Sequence, residues 1–447
     1  LTGYSIYSNR VFDSQRNAIA ERVVTYIDSA KTGVVTASEI RSSGFTLSGV
    51  ASQEVIASYS DDTFLIVTGV RVISNTNISP LGNVSDSTIT RYSGRAATDT
   101  VTGTINPLGK LSEDQVHSSS FDSSGNPLKQ DVTTSYYDLS GGLISANFYS
   151  YTNSYDIYNR VTQSIVKTFS TSARDSLLSL QNIQYSGYDA YSNALHQVIK
   201  TYDKDGTTFV LGSTVDRVYA DKKAQARGIA TTITSIKYSD SLLTVKTGQT
   251  ITVIDPKDID SRGNPLLQDQ KIYVYSAGAM VQTLHQIITA ASSDFLSTGD
   301  AVRENVATYS VEGAVETLTG YSIYSNRVFD SQRNATSQRV VTYIDPAKTG
   351  VVSASEIRSS GFTLSGVASQ ETIASYSDDT FALVTGVRVI ANTNISPLGN
   401  VSDSTITRYS ARAAAATVTG TITPLGKLSE DLVHSSSFDS IGNPLTQ

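Results

Sequence analysis

The chain has 447 residues, 17% of them charged, a net charge of −7, no Cys, no Trp and a single Met, Met280. No basic stripe exists to track a phosphate backbone, no thiol is available for a disulfide, metal or redox site, and no apolar run approaches the roughly 18 residues of a helical membrane span. Low charge with abundant Ser, Thr, Val, Ile and 25 Tyr suits pleated sheet, and a hydrophobic fraction of 39% with only 9 Pro excludes a disordered linker.

Along the chain a short motif recurs. It opens with an aromatic or aliphatic residue and then Asp, Ser or Thr. Two free positions come next, then Gly-Asn or a substitute, and then an alternating stretch. Phe12, Phe45 and Ile78 begin copies spaced by 33 residues. Ile105 begins a looser copy, only 16 residues before Phe121-Asp122-Ser123-Ser124-Gly125-Asn126. Tyr155-Asp156-Ile157-Tyr158-Asn159-Arg160 and Tyr188-Asp189-Ala190-Tyr191-Ser192-Asn193 continue the frame, Tyr219 and Phe295 more loosely, with Ile259-Asp260-Ser261-Arg262-Gly263-Asn264 between them. Each copy reads as a hairpin turn. The Asp accepts amides two or three residues on, and the fifth and sixth positions tolerate positive φ. The stretch after the turn has period two: Leu195, Gln197, Ile199 and Thr201 face one way, His196, Val198, Lys200 and Tyr202 the other. Returning strands are expected at Ser179–Tyr185, Phe209–Leu211 and Thr250–Ile254. The best helical candidates are short, Arg95-Ala96-Ala97 and the Ala-rich stretch Ala411–Ala416. The expected fold is all-β, an elongated stack of β-hairpins, solenoid-like or a serial two-layer sheet.

A second, longer period overlies the first. Residues 1–130 return as 318–447 without a gap and with 16 substitutions. This divides the chain into one full 317-residue repeat of about ten hairpin units (1–317) and the start of the next (318–447). Arrays of this kind are generally built for length rather than chemistry. The copy stops at Gln447 inside an apolar-polar alternation and the sequence opens on Leu1 rather than Met, so the chain is expected to continue, and targeting is not readable from its start.

The aromatic-Asp-x-x-Gly-Asn/Arg turn followed by an alternating strand resembles the YD repeats of bacterial Rhs-type and other large surface proteins. Here the unit is longer, and Asn mostly stands where Arg follows Gly. The resemblance implies a secreted bacterial repeat protein made of stacked β-hairpins.

Candidate chemistry is sparse. His117, His196, His285 and His434 form no metal-binding or general-base cluster and read as strand-surface residues. No phosphate loop, dinucleotide fingerprint or nucleophile elbow occurs. Asp203-Lys204-Asp205-Gly206 opens like a calcium loop but lacks the late bidentate Glu, so Asp203 and Asp205 are at most a weak calcium candidate beside a simple turn. Sequons for N-glycosylation stand at Asn77, Asn83, Asn334, Asn394 and Asn400. Tyrosines that follow the repeat frame suit packing between units better than sugar stacking. The expectation is a non-catalytic structural protein without a cofactor: an extracellular or cell-surface filament or stalk whose partners are further copies of itself and, potentially, glycans. The alternative is an adhesin or polysaccharide-binding array using exposed Tyr, and a β-helical polysaccharide lyase or hydrolase is a distant third.

Overall fold

A computed structural model describes the chain except residues 1–3, 32, 97–102, 138–140, 261–262, 277, 297–298, 330–333, 364–365, 397–398, 414–419, 439–443 and 447. The strands are β1 (Tyr4–Phe12), β2 (Ala18–Tyr26), β3 (Val34–Phe45), β4 (Ala51–Tyr59), β5 (Val67–Ile78), β6 (Val84–Arg95), β7 (Pro107–Phe121), β8 (Pro127–Tyr137) and β9 (Leu143–Tyr155). Then come β10 (Val161–Phe169), β11 (Leu177–Tyr188), β12 (Ala194–Tyr202), β13 (Phe209–Val218), helix α1 (Lys222–Ala226), β14 (Thr232–Tyr238), β15 (Lys246–Val253), β16 (Leu267–Ser276), β17 (Ala279–Thr289) and β18 (Glu304–Glu312). The rest are β19 (Val315–Phe329), β20 (Ala335–Tyr343), β21 (Val351–Phe362), β22 (Ala368–Tyr376), β23 (Val384–Ile395), β24 (Val401–Arg412), β25 (Pro424–His434), β26 (Ser436–Phe438) and β27 (Pro444–Thr446).

The all-β expectation holds. Among the described residues twenty-five strands form one sheet, and β26 and β27 pair separately. The chain divides into two compact units: 1–209 with 214–232 and 259–263, and 210–213 with 233–258 and 264–447. In the first, β1 to β12 pair antiparallel, each with its sequence neighbours. In the second, β15 to β25 do the same. The frame of the long repeat does not coincide with a loop: positions 317 and 318 lie inside β19, which is hydrogen-bonded to β18 on one side and β20 on the other.

Two kinds of turn alternate. At several tight turns Asp does the work, and Thr46 and Ser79 take its place at two others. Asp13 Oδ1 accepts the amides of Gln15 and Asn17, both at 2.8 Å, and Oδ2 accepts Asn17 Nδ2 at 2.9 Å. Asp122 with Asn126, Asp156 with Arg160 and Asp189 with Asn193 repeat this grip. The amides lie two and four residues on, rather than two or three. Only the fifth motif position takes positive φ, as at Arg16 (71°), Gly125 (84°), Asn159 (61°) and Ser192 (65°). The sixth instead supplies the side chain that holds the carboxylate. Longer loops close the other ends, with Ile27 N donating to Gly33 O at 2.9 Å and Ser60 N to Ile66 O at 3.0 Å. One tight turn, one loop and two strands make the 33-residue unit.

Three motif-level expectations change. Ile105 does not open a hairpin. It sits in the return segment between β6 and β7, closed by Ala96 N donating to Asn106 O at 2.9 Å, and is buried. The slipped spacing before Phe121 is therefore an insertion. Arg95 ends β6, and Ala411 and Arg412 end β24, so the helical candidates are strand there, while Ala97 and residues 414–416 lie outside the described residues. At Tyr219 the turn is replaced by α1, whose N-cap Asp221 accepts the amide of Ala224 at 2.9 Å.

Apolar burial concentrates where the return segment lies on the sheet. In the first unit Val24, Tyr26, Ala37, Ala57, Tyr59 and Val70 form a core under Ile105. The second unit repeats it at Val341, Tyr343, Ala354, Ala374, Tyr376 and Val387 under Ile422, with Ile323 added. Small Ala37 and Ala57, at 1% and 0% exposure, leave room for a segment to approach the pleat.

Candidate functional site

The most concentrated chemistry lies beside this core and was not singled out from the sequence. Ala37, Glu39 and Arg41 alternate onto one face of β3, and Glu39 is 1% exposed. Arg22 on β2 donates to Glu39 Oε1 through Nε at 2.6 Å and Nη2 at 2.5 Å. Tyr59 on β4 donates to Oε2 at 2.9 Å. Arg95, at the end of β6, donates through Nη1 to the same oxygen and to Tyr59 Oη, the latter at 2.6 Å. The Phe64 ring, 5.0 Å from Tyr59, carries the Arg22 guanidinium at 4.2 Å. Arg41 Nε donates to Gly103 O at 2.7 Å, fixing the return segment.

Burial pushes the Glu39 carboxyl up, but the bonds from Arg22, Tyr59 and Arg95 outweigh it and hold it below its ordinary range. Burial and the Glu39 carboxylate together push the Tyr59 phenol up. Burial pulls Arg41 down. The second unit rebuilds the site: Glu356 accepts from Arg339 at 2.7 and 2.5 Å, from Tyr376 at 2.9 Å and from Arg412. A carboxylate engaged by two guanidiniums and a phenol offers no free lone pair to a substrate proton. What the arrangement does is tie four strands and one return segment together.

The sequence candidates fall elsewhere. Asp205 accepts the amides of Thr207 and Thr208 at 2.8 and 2.7 Å and the Thr208 hydroxyl, which brings its carboxyl down to about 2. Asp203 accepts the Lys204 amide at 2.7 Å, so both carboxylates serve a turn. Among the described residues no three His, Asp or Glu side chains gather as metal ligands, and no helix is long and apolar enough to cross a membrane. The exposed Asn77 donates to Asp86 at 2.5 Å, and His117 Nδ1 meets the other oxygen of Asp86 at 2.7 Å. Asn394, Asp403 and His434 repeat this set. Asn83 and Asn400 are half-buried in tight turns, and Asn334 borders a shallow depression of about 320 Å³ with Gln338, Phe362 and Glu371.

His196 pairs with Asp216 at 2.6 Å. His285 differs from the strand-surface expectation. It is buried between Asp269 and Glu316, at 3.1 and 2.9 Å, with its ring 5.6 Å from that of Tyr309. Tyr155 donates to Pro127 O at 3.1 Å and Tyr188 to Val161 O, each reaching back one hairpin. Tyr149 and Tyr151 stand 6.0 Å apart, and burial raises both phenols, that of Tyr151 to about 12.

No protein-family model matches the sequence, and no curated protein matches it. Among solved structures the chain is similar to a TcdB2-TccC3-TEV crystal structure, at 10% identity over 89% of this chain and 23% of that one, with a TM-score of 0.17. It is also similar to the Photorhabdus luminescens Tc holotoxin pore with a substituted TccC3, at 10% identity, 91% and 22% coverage and a TM-score of 0.19. The chain thus spans less than a quarter of the length of either.

Proposed function

We propose that this chain is a segment of a structural, non-catalytic β-hairpin array, an extracellular filament or cell-surface stalk in which each repeat docks on the next. The observation that carries the reading is β19. It runs through the repeat junction without a turn and takes its partner strand from the repeat before it. An array joined in this way lengthens by continuing one ladder, and each hairpin covers a neighbour's edge. Each strand added to such a ladder extends it by about 4.8 Å. Electron microscopy of an array of several repeats tests this. The reading expects filaments whose length grows by a constant increment per added repeat, and compact particles of unchanged length would overturn it.

A second reading, sugar binding by tyrosine, draws on Tyr7 and Tyr158, which are 54% and 70% exposed. Arg10 lies 5.1 Å from one ring and Arg160 4.8 Å from the other, which leaves the opposite faces to stack on a sugar. Glycan-array binding that is lost in Tyr158→Ala would favour it, and no binding to any glycan would remove it.

A further inference from the structure

The second unit carries a depression that the core network does not use. Along β21, Ala354, Glu356 and Arg358 alternate onto the core face, so Ile357 and Ser359 lie on the opposite one. There Gln338 of β20 stands opposite Ile357, Ser359 opposite Glu371 of β22, and Glu371 opposite Ile390 of β23. Gln338, Ser359 and Glu371, with Asn334, Asn392 and Phe362 at the end of β21, line a hollow of about 320 Å³. Its polar side chains are of two kinds. Asn392 is held in place, Nδ2 donating to Ala368 O at 3.0 Å and Oδ1 accepting from Ser404 Oγ at 2.8 Å, which leaves one N–H and one lone pair of its amide unused. Gln338 and Glu371 are half-buried and make no hydrogen bond or ion pair among the described residues. Glu371 is thus partly stripped of water, between a serine and an isoleucine, with nothing in the fold to replace it. Among the described residues no Lys or Arg lines the hollow.

We propose that this hollow binds one uncharged pyranose residue of a polysaccharide. Glu371 accepts two adjacent sugar hydroxyls, one on each carboxylate oxygen. Gln338 and Asn392 each give an N–H to a sugar oxygen and take an O–H. Phe362 offers apolar surface to the C–H face of the ring. The volume stands at the low end for small-molecule sites, which suits one sugar ring and not a folded partner. Glu371, with no cation beside it, repels a uronate or a sulfated sugar. The inference takes its ligand class from the sugar-binding reading and needs none of the tyrosines on which that reading draws.

The test is hydrogen exchange of the full chain with methyl β-glucoside, N-acetylglucosamine and glucuronate as probes. A ligand of this size binds in the millimolar range, so each sugar is used at about 50 mM. An uncharged sugar is expected to slow exchange in β20, β22 and β23 by up to about tenfold, the factor for a ligand at ten times its Kd, and glucuronate is not. Residues 317 positions earlier repeat the lining with Glu21 for Gln338, and the strands of the two copies differ in sequence, so the effect is read on the second copy alone. Glu371→Ala removes a charged acceptor that the fold does not use and weakens binding at least about tenfold, and Gln338→Ala weakens it about three- to tenfold. Exchange in β21 without sugar checks that each variant is folded. No protection by either uncharged sugar, equal protection by glucuronate, or unchanged affinity in both variants overturns the proposal. Protection of the Tyr158 turn in the same samples reports the tyrosine site separately, so either site can fail alone.

Discussion

Replacing Glu39 by Gln removes a charge from a site where two guanidiniums and a phenol converge. Arg95 keeps only 9% of its side chain exposed and has no water to turn to. Breaking a buried pair by removing one partner generally costs about 3–5 kcal/mol, and the carboxamide retains one acceptor oxygen, so the lower end applies, about 3 kcal/mol. That is an acceleration of roughly 100-fold in amide exchange through local opening. The assay is hydrogen exchange read on peptides from β2, β3, β4 and β6, since a chain of many units need not melt in one step. The second copy is an internal control: β20, β21, β22 and β24 hold the unaltered Glu356 site and should keep their rates. Replacing the whole network by apolar residues (Arg22→Met, Glu39→Leu, Tyr59→Phe and Arg95→Met) should recover most of the loss, because no charge is then stranded. An effect of less than about fivefold for Glu39→Gln, or equal acceleration in both copies, would refute the reasoning.

Ile105→Ala should loosen the return segment and cost about 2–4 kcal/mol, with Ile422→Ala matching it, measured by exchange in β3 to β5 and in β21 to β23 respectively. Gly44→Ala should destabilise by about 1–2 kcal/mol, read from denaturant unfolding of that region. Gly44 has φ 64°, and an added Cβ would stand 1.9 Å from Ser52 Oγ. Acid should weaken the fold. Hydrogen bonds from Asn17, Asn126 and Arg160 lower the carboxyls of Asp13, Asp122 and Asp156 from their ordinary 3.8, and Glu39 and Glu356 lie below 4.5. The unfolded chain therefore binds more protons below those values. The stabilisation is present above about pH 4.5 and disappears as pH falls through the lower folded values, which circular dichroism against pH checks, and a transition only above pH 5 would contradict this. In a host that N-glycosylates, glycopeptide mass spectrometry should find sugar on Asn77 and Asn394 ahead of Asn83 and Asn400, whose side chains lie in the tight turns.

The hairpins were legible because their instructions are local. Asp122 and Asn126 lie four residues apart, and their hydrogen bonds form in any chain that bends there. Alternation then fixed strands such as β12, where Ile199 meets Ile183 across the ladder. The Glu39 site was not legible, because its partners come from 17, 20 and 56 residues away and a charged residue on a strand ordinarily marks the solvent face. The available signal was Ala37-Ser38-Glu39-Ile40-Arg41, a Glu in alternation with an Ala that tolerates close approach. Ile105 misled for a related reason: an apolar residue before a polar one matches the hairpin motif, and only the sheet under it shows that it is a lid. His285 sits where His196 does in its motif, yet is buried because Glu316, just before the repeat junction, reaches back to it.

The paired copies separate what a sequence encodes from what its neighbours impose. Over Tyr4–Phe12 and Tyr321–Phe329 the residues, hairpin register and bulges are the same, and β19 is paired on its other edge with β18. In such an array the interface term between units, rather than the unit itself, sets how firmly a strand is held. The substitutions agree. Of the 16 differences between copies, three are consecutive, Ile19 to Thr336, Ala20 to Ser337 and Glu21 to Gln338. They fall on the strand that follows the junction strand. Where Glu304 arrives to hold Arg327, the hairpin's own glutamate has become Gln338, which removes the competitor for the guanidinium. In the first copy Glu21 remains and accepts from Arg10. The Ala20 to Ser337 change has no counterpart of this kind, since the buried Ser337 hydroxyl finds no hydrogen-bond partner.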